Sequence, residues 1–174
     1  MVSNKLVSQK ACSIFAVITS FIFMGEGHSQ TFEIAHKGKT GHAFRTHEGT
    51  VTALHVGGLA FDYIFPAMDI GIETKSRTDK GFMLSDKPPA YFIDRRGTRY
   101  SLNTTGTYGL QTVVDMRFYP GESGMPVFAD DGSVCCIVLG NAFTSGRWRG
   151  RIARVTPLVD SINKPTVEVK SAVR

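Results

Sequence analysis

At 174 residues the chain is long enough for one ordinary domain and too short for two large ones. Its 42% hydrophobic and 20% charged residues are a globular composition, which excludes a disordered chain. A net charge of +5 is a modest bias and does not make nucleic-acid binding the expected main function. The cysteines, Cys12, Cys135 and Cys136, offer neither a disulfide framework nor a spaced metal-ligand set, so no metal or cofactor is expected.

Residues 1–29 read as a leader. Lys5 and Lys10 precede an apolar run over 11–24, and the small residues Gly25, Gly27 and Ser29 follow it. The run is short for a membrane span. A signal peptide is the first expectation and an uncleaved signal anchor the second. The chain is then secreted, or meets a membrane only through this segment. A buried helix or strand pair of the domain is the bland alternative.

From residue 30 to 163 a single domain is expected, with 164–174 as a tail. Short apolar stretches follow one another: TFEIAH, HAFRT, TVTALHV, YIFPAMDIGIE, GFMLS, AYFID, TRYSL, LQTVVDMRFY, MPVFA, SVCCIVLG and RIARVTPLV. Turn residues separate them, among them Gly49, Arg96-Gly97, Pro120-Gly121 and Asp131-Gly132. Helical periodicity is weak, so the fold class is all-β, a barrel or a sandwich. GHAFRTHE and GTVTALHV form one expected hairpin, and Asp131-Gly132 closes another. A short helix is expected near Val159–Ile162. Cys135 and Cys136 share a strand, so one is expected to face in and the other out.

Three places carry chemistry. The strand GTVTALHV delivers His55 at its end, where a general base would sit on a rigid rim, with Gly57-Gly58 after it. Asp69 follows in MDIGI. An acid in an apolar strand, as Asp69 is expected to be, is costly to bury without a partner, and a histidine N–H supplies one. Asp62 in FDY is the competitor, and the alternation after Asp69 favours Asp69. Then comes Gly121-Glu122-Ser123-Gly124, a tight turn that would expose a serine hydroxyl. In such a turn the N–H groups of Gly121 and Ser123 can aim at one oxyanion. The order His, Asp, Ser in an all-β chain is that of a nucleophilic triad. His28, His36, His42 and His47 have no comparable context.

In these motifs the sequence resembles the chymotrypsin-like serine proteases, nearest to viral ones such as the capsid protease of alphaviruses. The stretches that carry the likeness are LHVGG, MDIGI and PGESGMPVFADDGSVCCIVLGNAFTSGRWRGRIARVT, within about residues 40–160. The resemblance implies a double β-barrel with the active site in the cleft between barrels. It implies peptide-bond hydrolysis through an acyl-enzyme, on a protein or peptide substrate. It also implies that Arg117, six residues before Ser123, lies near the base of the specificity pocket, where it would favour an acidic substrate residue; the alternative is that Arg117 simply points outward from its strand. Leu139, Gly140 and Asn141 would line the other side and pair with the substrate backbone.

The chain departs from the family in having Glu122 where Asp is usual, Val56 where animal trypsins have cysteine, and only 14 residues from His55 to Asp69. Arg147, Trp148, Arg149, Arg151 and Arg154 form a basic cluster that is expected to be a solvated hairpin. Two other readings stay open at this point. One is an inactive or structural, capsid-like protein that keeps the fold. The other is a secreted immunoglobulin-like binding module, which would scatter the three residues.

Overall fold

A computed structural model of the chain describes residues 30–163. The leader-like segment 1–29 and the tail 164–174 lie outside the described residues. Among the described residues there are twelve strands and one α-helix: β1 (Thr31–His36), β2 (Lys39–Arg45), β3 (Thr50–Ala53), β4 (Tyr63–Phe65), β5 (Ile70–Glu73), β6 (Tyr91–Ile93), β7 (Arg99–Ser101), β8 (Thr104–Tyr108), β9 (Gln111–Val114), β10 (Pro126–Phe128), β11 (Val134–Thr144), β12 (Arg147–Arg154) and α1 (Thr156–Asn163). The helix includes the expected turn near Val159–Ile162 and begins earlier, at Thr156.

The strands form two antiparallel sheets. The first has the order β1-β2-β3-β5-β4 and the second β7-β6-β10-β11-β12-β9-β8. Strand pairing leaves both sheets open. The expected hairpins are present, β2 with β3 and β10 with β11. At the second turn Asp131 Oδ1 accepts from the N–H and hydroxyl of Ser133, and Gly132 takes a positive φ of 82°. GFMLS does not form a strand. It crosses between the sheets, touching Thr46 through Phe82 and Val134 through Leu84.

Two apolar clusters hold this together. One joins the sheets: Phe44, Val51, Ala53, Ile70 and Ile72 of the first pack with Ile137, Leu139, Ala153, Val155 and Leu158. Aromatic rings make the same crossing, from Phe44 to Phe82 to Phe128, with Tyr91 stacked on Phe128. The other cluster lies within the second sheet and its loops, around Phe92, Phe118, Val127, Val138 and Ile152.

β11 runs through the middle of the second sheet, and Val134–Leu139 are buried without a break. A continuous apolar run is the mark of a strand covered on both faces. This corrects the expectation for the cysteines, since Cys135 and Cys136 are both fully buried. The edge strands β7 and β8 are exposed along their whole length, and accordingly polar. Among the described residues no helix is long and apolar enough to cross a membrane.

Candidate active site

The first sheet delivers a histidine and an aspartate as one unit. β3 ends at Ala53, and Val56 N–H closes a turn on the Ala53 carbonyl at 3.1 Å. Asp69 grips the chain beyond it in two places. Its Oδ1 accepts from the His55 backbone N–H at 3.0 Å, and its Oδ2 from ring Nδ1 at 2.5 Å. Leu54 N–H also donates to the Asp69 carbonyl, at 3.0 Å.

A carboxylate only accepts, so Nδ1 carries a proton, and in the neutral tautomer it is Nε2 that has the lone pair. The pair is open to solvent, with side-chain exposures of 40% for His55 and 24% for Asp69. Asp69 is not inside a strand, as the alternation of the sequence suggested. It ends the 3₁₀ turn Pro66–Met68 in the left-handed region, φ 56° and ψ 39°, immediately before β5. Asp tolerates this conformation better than most residues. Asp62 is engaged elsewhere, accepting from the N–H and hydroxyl of Thr74 at 2.7 and 2.6 Å.

The serine comes from the loop between β9 and β10. Glu122 N–H donates to the Tyr119 carbonyl at 3.1 Å, and Met125 N–H to the Glu122 carbonyl at 3.1 Å. Gly121 and Gly124 have φ of 87° and 91°, which the two glycines take without the penalty of a side chain. Gly124 has a second reason to be glycine, because a Cβ there would run into the His42 carbonyl oxygen. Glu122 is 2% exposed, and its Oε2 accepts from Tyr119 N–H at 2.8 Å. Burial pushes its carboxyl above the ordinary range. Among the described residues, the N–H groups of Gly121 and Ser123 have no intramolecular acceptor. The Ser123 hydroxyl donates to the Leu139 carbonyl at 3.2 Å, and not to His55.

Strand β2 of the first sheet lies against both parts. Lys39 Nζ donates to the His55 carbonyl at 3.4 Å. A Cβ on Gly41 would stand 2.6 and 2.7 Å from the Val56 methyls and 2.9 Å from the Ser123 carbonyl oxygen. The residue after His55 and the backbone of Ser123 therefore meet over one glycine. His42 follows, and it holds the serine loop twice. Its N–H donates to the Ser123 carbonyl at 2.8 Å, and its Nδ1 lies 2.7 Å from the Gly121 carbonyl. A carbonyl can only accept, so this Nδ1 carries the proton as well. Burial lowers the His42 pKa, which keeps the ring neutral. The only local hint of this role in the sequence is Gly41 beside it, and the partner lies 79 residues on.

The substrate-side residues are less uniform. Arg117 is exposed and points outward, its guanidinium 6.0 Å from the centroid of the Trp148 ring, while Phe118 next to it is buried. Leu139 is buried. Gly140 sits in a β-bulge, and a Cβ on it would be 3.9 Å from Ser123 Oγ. Asn141 ties its side-chain amide to the Phe118 backbone, accepting from the N–H at 2.9 Å and donating to the carbonyl at 2.8 Å. Among the described residues no strand pairs with positions 140–144 on the side away from β12.

The basic residues of β12 do not converge. Arg147 pairs with Asp115 at 2.7 Å, Arg151 bonds Gln111 at 2.7 Å, and Arg154 bonds the Asp86 carbonyl. Among the described residues no three His, Cys, Asp or Glu side chains are grouped to hold a metal.

No protein-family model matches the chain, and no curated protein matches it. Among solved structures it is similar to a serine protease of a human pathogenic astrovirus. The identity is 18% and the TM-score 0.53, over 78% of this chain and 94% of that one. The fold is the chymotrypsin-like double β-barrel. The two open sheets stand for its two barrels, and the His55–Asp69 pair and the Ser123 loop are carried on different sheets.

Proposed function

We propose that the chain is a serine endopeptidase, with Ser123 as nucleophile, His55 as general base and Asp69 holding the imidazole. The observation that carries this reading is the double grip of Asp69 on the ring and backbone of His55, which leaves Nε2 free as a base.

Ser123 Oγ leaves the Leu139 carbonyl by side-chain rotation and donates its proton to His55 Nε2 as it bonds to the substrate carbonyl carbon. The carbonyl oxygen becomes an oxyanion, received by the N–H groups of Gly121 and Ser123. When the C–N bond breaks, His55 returns the proton to the departing amine and an acyl-Ser123 ester remains. Water, deprotonated by His55, then releases the acid and restores the hydroxyl. The free edge of β11 at 140–144 is suited to pair with an extended substrate. The substrate is a protein or peptide. A viral or precursor polyprotein is our candidate substrate, and the segment 1–29 is in keeping with a secreted or membrane-anchored enzyme.

An inactive protein that keeps the fold is the second reading, and the Ser123–Leu139 hydrogen bond favours it. A fluorophosphonate serine probe separates the two. Labelling of the folded full chain but not of Ser123→Ala supports the enzyme. Absence of labelling in a folded chain supports the inactive reading.

A further inference from the structure

The hairpin of β6 and β7 closes a cavity of about 230 Å³ against the serine loop. Asp94, Arg95, Arg96 and Tyr100 line it from the hairpin, and Tyr119 and Glu122 from the loop. Its place follows from strand pairing. β10 begins just after the loop and is antiparallel to both neighbours, with Pro126 opposite Ile137 of β11 and Val127 opposite Phe92 of β6. The residues that follow Phe92 and those that follow Ile137 therefore flank the loop from opposite sides. A Cβ on Gly121 would lie 3.5 Å from Arg95 Nη1, so the guanidinium reaches the residue whose N–H is open to an oxyanion.

The two carboxyls of the lining are engaged and the two guanidiniums are not. Asp94 Oδ1 accepts from the N–H groups of Arg96 and Thr98, both at 2.9 Å, and Oδ2 from the Tyr100 hydroxyl at 3.3 Å. Glu122 is 2% exposed, with Oε2 on Tyr119 N–H. Arg95 and Arg96 are exposed, and among the described residues their side chains make no hydrogen bond and no ion pair. A guanidinium without a partner at a cavity mouth is suited to a carboxylate, which it can hold with two hydrogen bonds. The cavity is smaller than the roughly 300–1,000 Å³ of pockets that bury a whole small molecule, and of a size for one side chain.

A substrate strand paired with the free edge at 140–144 reaches Ser123 from the β11 side. Its continuation past the scissile bond leaves toward the hairpin of β6 and β7. Extended chain advances about 3.3 Å per residue, which carries the first or second residue of the leaving segment past Gly121 to Arg95. We propose that this cavity receives the carboxylate of an acidic residue, Asp or Glu, on the leaving-group side of the cleaved bond, and that Arg95 selects it. The proposal rests on Ser123 being the nucleophile.

The test digests a mixed library of proteome-derived peptides with the full chain and reads the cut sites by mass spectrometry. A fluorophosphonate probe is run on the same sample to count active Ser123. Labelling is expected, with Asp and Glu enriched at the first or second position after the cut. A peptide made from the best site should be cleaved with kcat/KM about tenfold above that of its Ala counterpart at this position. Arg95→Ala should erase that ratio by slowing the acidic peptide, and Arg95→Glu should turn the preference to Lys or Arg. Should Arg95→Glu fail to fold, wild type and Arg95→Ala decide between them. Cuts without acidic enrichment at either position, or the same enrichment in Arg95→Ala, would overturn the proposal and leave the nucleophile standing. No labelling of the folded wild type would remove the enzyme reading and this proposal with it.

Discussion

The two sheets hold their reactive groups in different ways. The first sheet builds its pair from within: His55 and Asp69 are 14 residues apart, and both contacts between them belong to that one sheet. The second sheet does not fix its serine loop alone. The carbonyls of Gly121 and Ser123 are held from outside, by the ring and the backbone of His42 on β2 of the first sheet. The His55–Asp69 pair is therefore assembled once its own sheet is formed, whereas the shape of the Ser123 loop depends on how the sheets dock. A disturbance of the interface should reach the loop before it reaches the histidine–aspartate pair.

The largest effect expected is that of Ser123→Ala. Turnover should fall by about 10⁶-fold while the circular dichroism spectrum and melting temperature stay put. Comparable turnover in that variant would remove the nucleophile. Asp69→Asn tests the self-contained pair, with kcat expected to fall by about 10⁴-fold because the amide no longer selects the Nδ1–H tautomer. A substitution inside the first sheet that spared kcat would break the comparison at its first term.

His42→Ala tests the dependence of one sheet on the other. kcat should drop by about 10²- to 10³-fold, the loss expected for a disturbed oxyanion donor, with KM little changed. His42→Asn, which can still donate from its amide, should recover part of it. The ring also has a pH signature. Its pKa is lowered in the folded state, so the unfolded chain takes up the proton first. Stability should decline as the pH falls below about 6.5 through the lowered value, and the decline should flatten in His42→Asn. Unchanged pH dependence of unfolding would argue against a buried neutral ring.

Glu122 gives the opposite slope. Its carboxyl is raised above 4.5, so the native state binds the proton more tightly than the unfolded chain. Stability should fall as the pH rises from there through the raised value, and then level off. Glu122→Gln, whose amide oxygen can still accept from Tyr119 N–H, should lack that fall in urea titrations at successive pH values. Asp62→Asn should be the mildest change. Its hydrogen bonds to Thr74 are worth about 1 kcal/mol, and kcat should not move.

Much of this architecture could be read in the sequence where the information is local. Gly-x-Ser-Gly forms a tight turn because two of its positions need positive φ, and the Asp131-Gly132 hairpin follows from the same kind of chemistry. His55 and Asp69 stand out because each ends an apolar run beside a turn. What could not be read depends on distant partners. His42 looks like any histidine in a strand until the Gly121 carbonyl is brought to it. For Arg117 the distance from Ser123 alone leaves two readings open, and the structure takes the outward one: the chain alternates there, so Phe118 is buried and Arg117 exposed. Asp69 looks like a strand residue in the sequence because a 3₁₀ turn of three residues leaves no periodic trace. Cys135 and Cys136 do not alternate in and out because a strand covered on both faces buries every side chain.

The core that joins the sheets has a consequence for the timing of synthesis. It takes Ile34 and Phe44 from near the start of the described chain and Val155 and Leu158 from near its end. Contacts so far apart in sequence form slowly. On the ribosome, strands β1 to β5 emerge first and wait with one apolar side uncovered until Leu158 has been added. Such a waiting sheet is exposed to aggregation and is a natural client for a chaperone.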